Sequence, residues 1–167
     1  MKGILFGLDG TLIDSMEVWT GLDIKFIESK GVEYIPESLD EQKSFSSKDI
    51  PEFFEKTYGI ITDTEEIEDF MSGVMIEHYK DKFEFKDGVP QVLDELKHRG
   101  FKMCITTATL FDYCKHIVER LGLDKYMEFV QTPDKVNLSK SDPEYFKLAM
   151  ERLGTYQENT YVFDDAL

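Results

Sequence analysis

Short apolar runs closed by turn residues alternate in this chain with stretches whose apolar residues recur every three or four positions. The run Ile4-Leu5-Phe6 within residues 3–8 predicts a strand buried on both faces, ended by a glycine-rich turn. A long helical pattern follows. Val18, Leu22 and Phe26 keep a four-residue spacing. Ser47 is placed to cap a helix with Pro51 in its first turn and Phe53-Phe54 on its apolar side. Thr64 is placed to cap another, with Ile67, Met71, Val74 and His78 along one face. The acidic run from Glu65 to Asp69 suits the start of that helix.

From about residue 88 the rhythm changes to helices and strands in alternation. Gly88-Val89-Pro90 opens a helix that Gly100 closes, and Phe101 to Thr106 reads as a strand. Phe111, Cys114, Ile117, Val118 and Leu121 mark a helix ending at Gly122. Met127 to Val130 reads as a short strand. Pro143 starts a helix that Gly154 ends, and Thr160 to Phe163 is the last strand. Strands separated by helices in this order imply an α/β fold: a doubly wound, parallel, Rossmann-like sheet. Residues 1–14 and 85–167 then make the core, and residues 15–84 an α-helical insertion after the first strand.

Composition narrows the setting. The 34 acidic residues against 19 basic ones give a formal net charge of −15. Such a surface repels nucleic-acid backbones and anionic lipids, so neither is expected as a partner. Two cysteines are too few for a disulfide scaffold, and no apolar run approaches membrane-spanning length. A cytoplasmic protein is the expectation.

Ligands of doubly wound sheets sit beyond the carboxyl ends of the strands. Asp9 follows the first strand, Thr107 the second, Lys140 lies after the third, and Asp164-Asp165 follow the fourth. Taken singly, these are a turn residue, a helix cap, a solvated charge and a polar strand exit. Together they suit a Mg²⁺-assisted phosphoryl site, where one or two carboxylates, water and phosphate oxygens share the cation.

The stretch Asp9-Gly10-Thr11-Leu12 resembles the first motif of the haloacid dehalogenase-like (HAD) phosphohydrolases, Asp-x-Asp-Gly-Thr-Leu. The first Asp of that pattern is Gly7 here. Met103 to Thr107 is similar to the second motif, with its hydroxyl placed at Thr107 rather than Thr106. Ser139-Lys140-Ser141-Asp142-Pro143-Glu144 is similar to the third, and Tyr161 to Asp165 to the fourth. The resemblance implies a phosphatase or phosphomutase core with a helical cap, the insertion serving as a lid. It implies phosphate held by Thr107, backbone N–H groups such as that of Ala108, and Lys140. It also implies Mg²⁺ at Asp9, Asp164 and Asp165, Asp9 as acid/base, and a phosphorylated small molecule as substrate or ligand. In the family the first Asp attacks phosphorus and binds the metal, so Gly7 removes nucleophile and ligand together. The expectation is a chain that is inactive or nearly so, since such a loss costs several powers of ten in rate. The alternative is a non-catalytic phosphate-binding pseudoenzyme.

The chain stops just after its fourth strand, where the family continues with a further helix and strand. The C-terminal part of the core is therefore expected to be missing, leaving Tyr161 to Phe163 with apolar side chains and a sheet edge uncovered. Truncation is the expected origin. Completion by another subunit, through self-association at that edge, is the other reading.

Overall fold

The computed structural model describes residues 2–36 and 49–166 and divides into two compact units. One comprises the residues up to Met16 together with those from His78 onward; the other is Glu17–Glu77.

The first unit is built on a four-stranded sheet in the order β3-β2-β1-β4. The strands are β1 (Gly3–Phe6), β2 (Lys102–Thr106), β3 (Val130–Gln131) and β4 (Thr160–Phe163), and every pairing is parallel. β1 lies between β2 and β4, and all four of its residues are buried, as its unbroken apolar run requires. Leu5 and Cys104 pack with Ala149 and Leu153 of the helix Pro143–Leu153. By strand alternation Ile4, Phe6, Met103 and Ile105, also buried, face the other side. The sequence thus yields the α/β parallel sheet it predicts.

Three strands differ in extent from expectation, β2 only in beginning at Lys102 rather than Phe101. β1 stops at Phe6, because Leu8 accepts turn hydrogen bonds from Thr11, Leu12 and Ile13. β3 holds Val130–Gln131 and not Met127 to Val130. The Tyr126 N–H closes a 3-10 turn at Leu123–Lys125 on the Leu123 carbonyl, and the Met127 N–H is drawn back to the same carbonyl, so regular pairing begins only at Val130.

The helices in chain order are α1 (Met16–Thr20), α2 (Leu22–Ser29), α3 (Ile50–Tyr58), α4 (Thr64–Asp81), α5 (Val89–His98), α6 (Phe111–Arg120), α7 (Pro133–Val136) and α8 (Pro143–Leu153). Pro begins α7 and α8, and glycine in the left-handed region closes α3 and α8. The second unit has its own core of Phe26, Ile27, Phe53, Phe54, Ile60 and Ile67. Ser47 lies outside the described residues; α3 begins behind Asp49. At α4 the cap is Asp63, whose Oδ1 accepts from the Glu66 N–H at 2.8 Å, rather than Thr64. The buried stripe of α4 is also displaced from the predicted one. Ile67, Met75 and Tyr79 are buried, whereas Val74 and His78 are only half-buried.

Where the chain leaves and re-enters the sheet unit, Leu12 to Asp14 and Glu84 to Lys86 pair antiparallel. The Asp14 N–H donates to Glu84 and the Lys86 N–H to Leu12, each at 3.0 Å. At the far edge of the sheet, Tyr161, Val162 and Phe163 of β4 are 51%, 38% and 51% exposed.

Tyr145 of α8 ties the carboxyl ends of β2 and β3 together. It is fully buried, and its hydroxyl donates toward the Thr107 carbonyl (2.7 Å) and the Gln131 carbonyl (2.6 Å). Gln131 Nε2 in turn donates to the Tyr145 carbonyl at 2.6 Å. Tyr145→Phe should cost about 1–3 kcal/mol in urea denaturation, because a buried carbonyl loses its donor. An unchanged midpoint would show that the Thr107 carbonyl finds another partner.

Candidate functional site on the carboxyl rim of the sheet

β1 delivers Gly7 and Asp9 to the rim. Gly7 is buried, and its N–H donates to the Phe163 carbonyl at 2.8 Å, so β1 and β4 stay paired to their ends. A Cβ placed on Gly7 would come within 2.8 Å of Asp164 Oδ2 and 2.9 Å of Thr11 Oγ1. The space beside residue 7 is therefore bounded by a carboxylate and a hydroxyl. Thr11 Oγ1 is itself buried and makes no hydrogen bond among the described residues.

Asp164 and Lys140 form an ion pair at this point. Their side chains are 1% and 19% exposed, and Asp164 Oδ2 is the oxygen that meets Lys140 Nζ. The second Asp164 oxygen accepts from the Ala166 N–H at 3.1 Å. Asp165 points elsewhere, with its carboxylate against the Cα of Gly10, where a side chain would overlap it. Gly10 has φ +71°, and its carbonyl accepts from Lys86 Nζ at 3.0 Å. The two acidic residues of this pair thus face different neighbours.

The Asp9 carboxylate is held by three hydroxyls. Oδ1 accepts from Ser15 at 2.7 Å and from Tyr79 at 2.6 Å, and Oδ2 accepts from Thr109 at 2.7 Å. Ser15 and Tyr79 are fully buried and Thr109 nearly so, which fixes the orientation of the carboxylate. Thr109 links this cluster to Thr107, since its N–H donates to Thr107 Oγ1 at 3.1 Å. That bond uses a lone pair of the Thr107 hydroxyl and leaves its proton for another acceptor. The Thr107 N–H is committed to the Gln131 carbonyl at 3.2 Å. Ala108 is exposed and lines, with Asn137, Ser139 and Lys140, a depression of about 550 Å³.

The residues expected at the site are thus joined through two sets of contacts. Gly7, Asp164 and Lys140 form one, and Asp9, Thr109 and Thr107 the other, with Ala108 and Lys140 sharing the depression. Asp165 is set apart from Lys140 and placed against Gly10. Ser15, Thr109 and Lys86 carry no signal of their own in the sequence, and neither does the bond from Tyr79 to Asp9. The burial of Tyr79 could have been found, because shifting the α4 stripe by one residue puts it on the buried face.

No group of three or more His, Cys, Asp or Glu side chains is arranged to hold a metal among the described residues. The two cysteines are free and buried, and burial pushes both thiols up to about 12, with the charge of Asp9 adding to the effect at Cys114. Neither is a thiolate nucleophile near neutrality. Native protein at pH 8 should therefore leave a disulfide reagent unconsumed until denaturant is added. Rapid labelling of either cysteine in the folded state would contradict this burial.

A parallel α/β sheet with a hydroxyl, an ammonium and carboxylates gathered on its carboxyl rim defines a class of α/β proteins that meet their ligands beyond the strand ends. Within that class, the chain belongs to the haloacid dehalogenase-like hydrolase family, whose model matches residues 4–167. It is 26% identical over 173 residues to a phosphorylated carbohydrates phosphatase of Thermotoga maritima, covering 99% of this chain and 77% of that protein. It is 30% identical over 162 residues to the pyrophosphatase PpaX of Bacillus velezensis, covering 92% of this chain and 69% of that one. The crystal structure of a putative β-phosphoglucomutase from Thermotoga maritima superposes with a TM-score of 0.82 at 23% identity, covering 99% of this chain and 77% of the other. That likeness establishes the shared fold. No helix among the described residues is long and apolar enough to cross a membrane.

Proposed function

We propose that this chain is a phosphate-recognising, cytoplasmic member of the family whose turnover of phosphorylated small molecules is lost at Gly7. In this reading the sheet unit is the core and the helical unit its substrate-selecting cap. Similarity to phosphatases of phosphorylated carbohydrates and of pyrophosphate supports the substrate class. The observation that carries the reading is the surrounding of Gly7. A residue with no side chain stands against Asp164 and Thr11, with Lys140 behind them, where the family pattern has its attacking carboxylate.

The remaining residues retain definite tasks. Thr107 offers a hydroxyl proton, and Lys140 an ammonium, to the oxygens of a phosphoryl group, with the Ala108 N–H beside them. Asp9, oriented by Ser15, Tyr79 and Thr109, is the group for proton exchange with a leaving oxygen. None of these attacks phosphorus. Asp9 stands two residues beyond Gly7, and its carboxylate is fixed by three donors away from that duty.

The family's Mg²⁺ chemistry supplies charge neutralisation at phosphate. The carboxylates available for it here are Asp9, Asp164 and Asp165. With Asp9 held by hydroxyls, Asp164 paired to Lys140 and Asp165 turned to Gly10, these residues do not compose the site without a carboxylate at position 7.

The test is a comparison of the whole chain with its Gly7→Asp variant on an aryl phosphate, with and without Mg²⁺. The parent should stay at background, and the variant should rise by about a hundredfold or more, the scale of a transition-state group regained. Gly7→Asp also sets a second carboxylate against Asp164, so Mg²⁺ should raise the variant's melting temperature and leave the parent's unchanged. Turnover by the parent at an ordinary enzymatic rate would refute the reading. The alternative, a pseudoenzyme that binds phosphate esters, draws on the retained Thr107 and Lys140. It predicts a saturable calorimetric signal with no hydrolysis, and no gain of activity in Gly7→Asp.

A further inference from the structure

The ion pair beside Gly7 has a geometry that the loss of a nucleophile does not by itself require. Asp164 Oδ2 lies 2.8 Å from where a residue-7 Cβ would be, which is closer than a side chain at that position tolerates. A carboxyl oxygen stands about 2.4 Å from its own Cβ by ordinary bond lengths and angles, so Asp164 Oδ2, at 2.8 Å, lies just beyond that radius and well inside the contact distance a side chain at position 7 would need. It is almost wholly buried there and meets Lys140. Burial makes this pairing specific, because removing either charge would strand the other out of water. Thr11 Oγ1, the other atom bounding the space, has no partner among the described residues.

We propose that Asp164 has taken over the space of the side chain that position 7 lacks and serves as the resident anion of Lys140. A phosphate arriving at the rim meets an ammonium already engaged by that carboxylate and competes with it for the same charge. Asp164 thus acts as an internal competitor, and phosphate affinity in this chain is set by how readily the pair opens. The competition rests on the phosphate-binding reading above; the occupation of the space does not.

Two measurements separate these parts. The first is a thermal double-mutant cycle without ligand, using Gly7→Ala in the parent and in Asp164→Ala backgrounds, with Asp164→Ser as a second small replacement. In the parent the new methyl meets Asp164, so the melting temperature should fall by several degrees. With Asp164 shortened, at least half of that loss should disappear. Equal losses in all backgrounds would overturn the occupation of the space by Asp164.

The second measurement is calorimetric titration of parent, Asp164→Asn and Lys140→Ala with orthophosphate at fixed ionic strength. Asp164→Asn keeps the shape and removes the competing charge. It should bind at least about fivefold more tightly than the parent, a modest share of what a charge at this distance can contribute. Lys140→Ala should bind less than the parent. If Asp164→Asn binds no better than the parent, Asp164 is not a competitor. Coupling in the cycle without phosphate binding by any variant would defeat the phosphate reading and leave the occupation standing. Binding without coupling would do the reverse.

Discussion

Gly3, Lys102 and Thr160 stand side by side across the sheet, and so do Phe6, Ile105 and Phe163. This level register of β2, β1 and β4 is the constraint from which the site follows. Parallel strands that end together release their next residues at one rim, whatever the distance between them in the chain. Gly7 and Asp9, with Thr107 and Thr109, meet there because β1 and β2 are buried and cannot slip, and Asp164 joins them through the pairing of the exposed β4 with β1. A shift of one residue would turn Leu5 and Cys104 off the face packed by Ala149 and Leu153.

On that rim Asp9 and Asp164 are both engaged by protein groups, one by hydroxyls and the other by an ammonium. Ser15, Tyr79 and Thr109 each donate a hydroxyl proton to the Asp9 carboxylate. Lys140 answers Asp164 in a setting where neither side chain has much water. Low exposure strengthens both arrangements and makes each costly to break. The family uses such a rim to surround a phosphoryl group. As proposed for this chain, the missing side chain at position 7 gives Asp164 its space against Lys140.

Much of this was legible in the sequence for a physical reason. Proline at helix starts and glycine at helix ends have strong, local conformational demands, so α8 and the order of strands follow from single residues. The unbroken apolar run of β1 reports burial on both sides. The residues Asp9, Thr107 and Asp164 could be placed because strand ends can be counted, and Lys140 because it lies in the motif-like stretch before Pro143. Other features depend on contacts that no local pattern encodes. β3 is shortened by a turn whose hydrogen bond competes with the ladder. Capping by Asp63 in place of Thr64 turns on which of two adjacent oxygens reaches the Glu66 N–H. The contact of Tyr79 with Asp9 is not readable from the α4 spacing, which predicts a stripe through Val74 and His78, one residue before Met75 and Tyr79. Ser15 and Thr109 are small hydroxyls whose role exists only once Asp9 is beside them. The separation of Asp164 from Asp165 likewise arises from two neighbours, Lys140 and Gly10, distant in the chain.

The central claim is that these residues still compose an oxyanion site around Gly7. It is tested most directly by a crystal structure of the protein soaked in tungstate, a tetrahedral oxyanion located by its anomalous scattering. The account predicts one ordered tungstate on the rim, in contact with Thr107 and Lys140, with Asp164 withdrawn from the ammonium. Tungstate seated elsewhere, or no ordered anion at that rim, would contradict it.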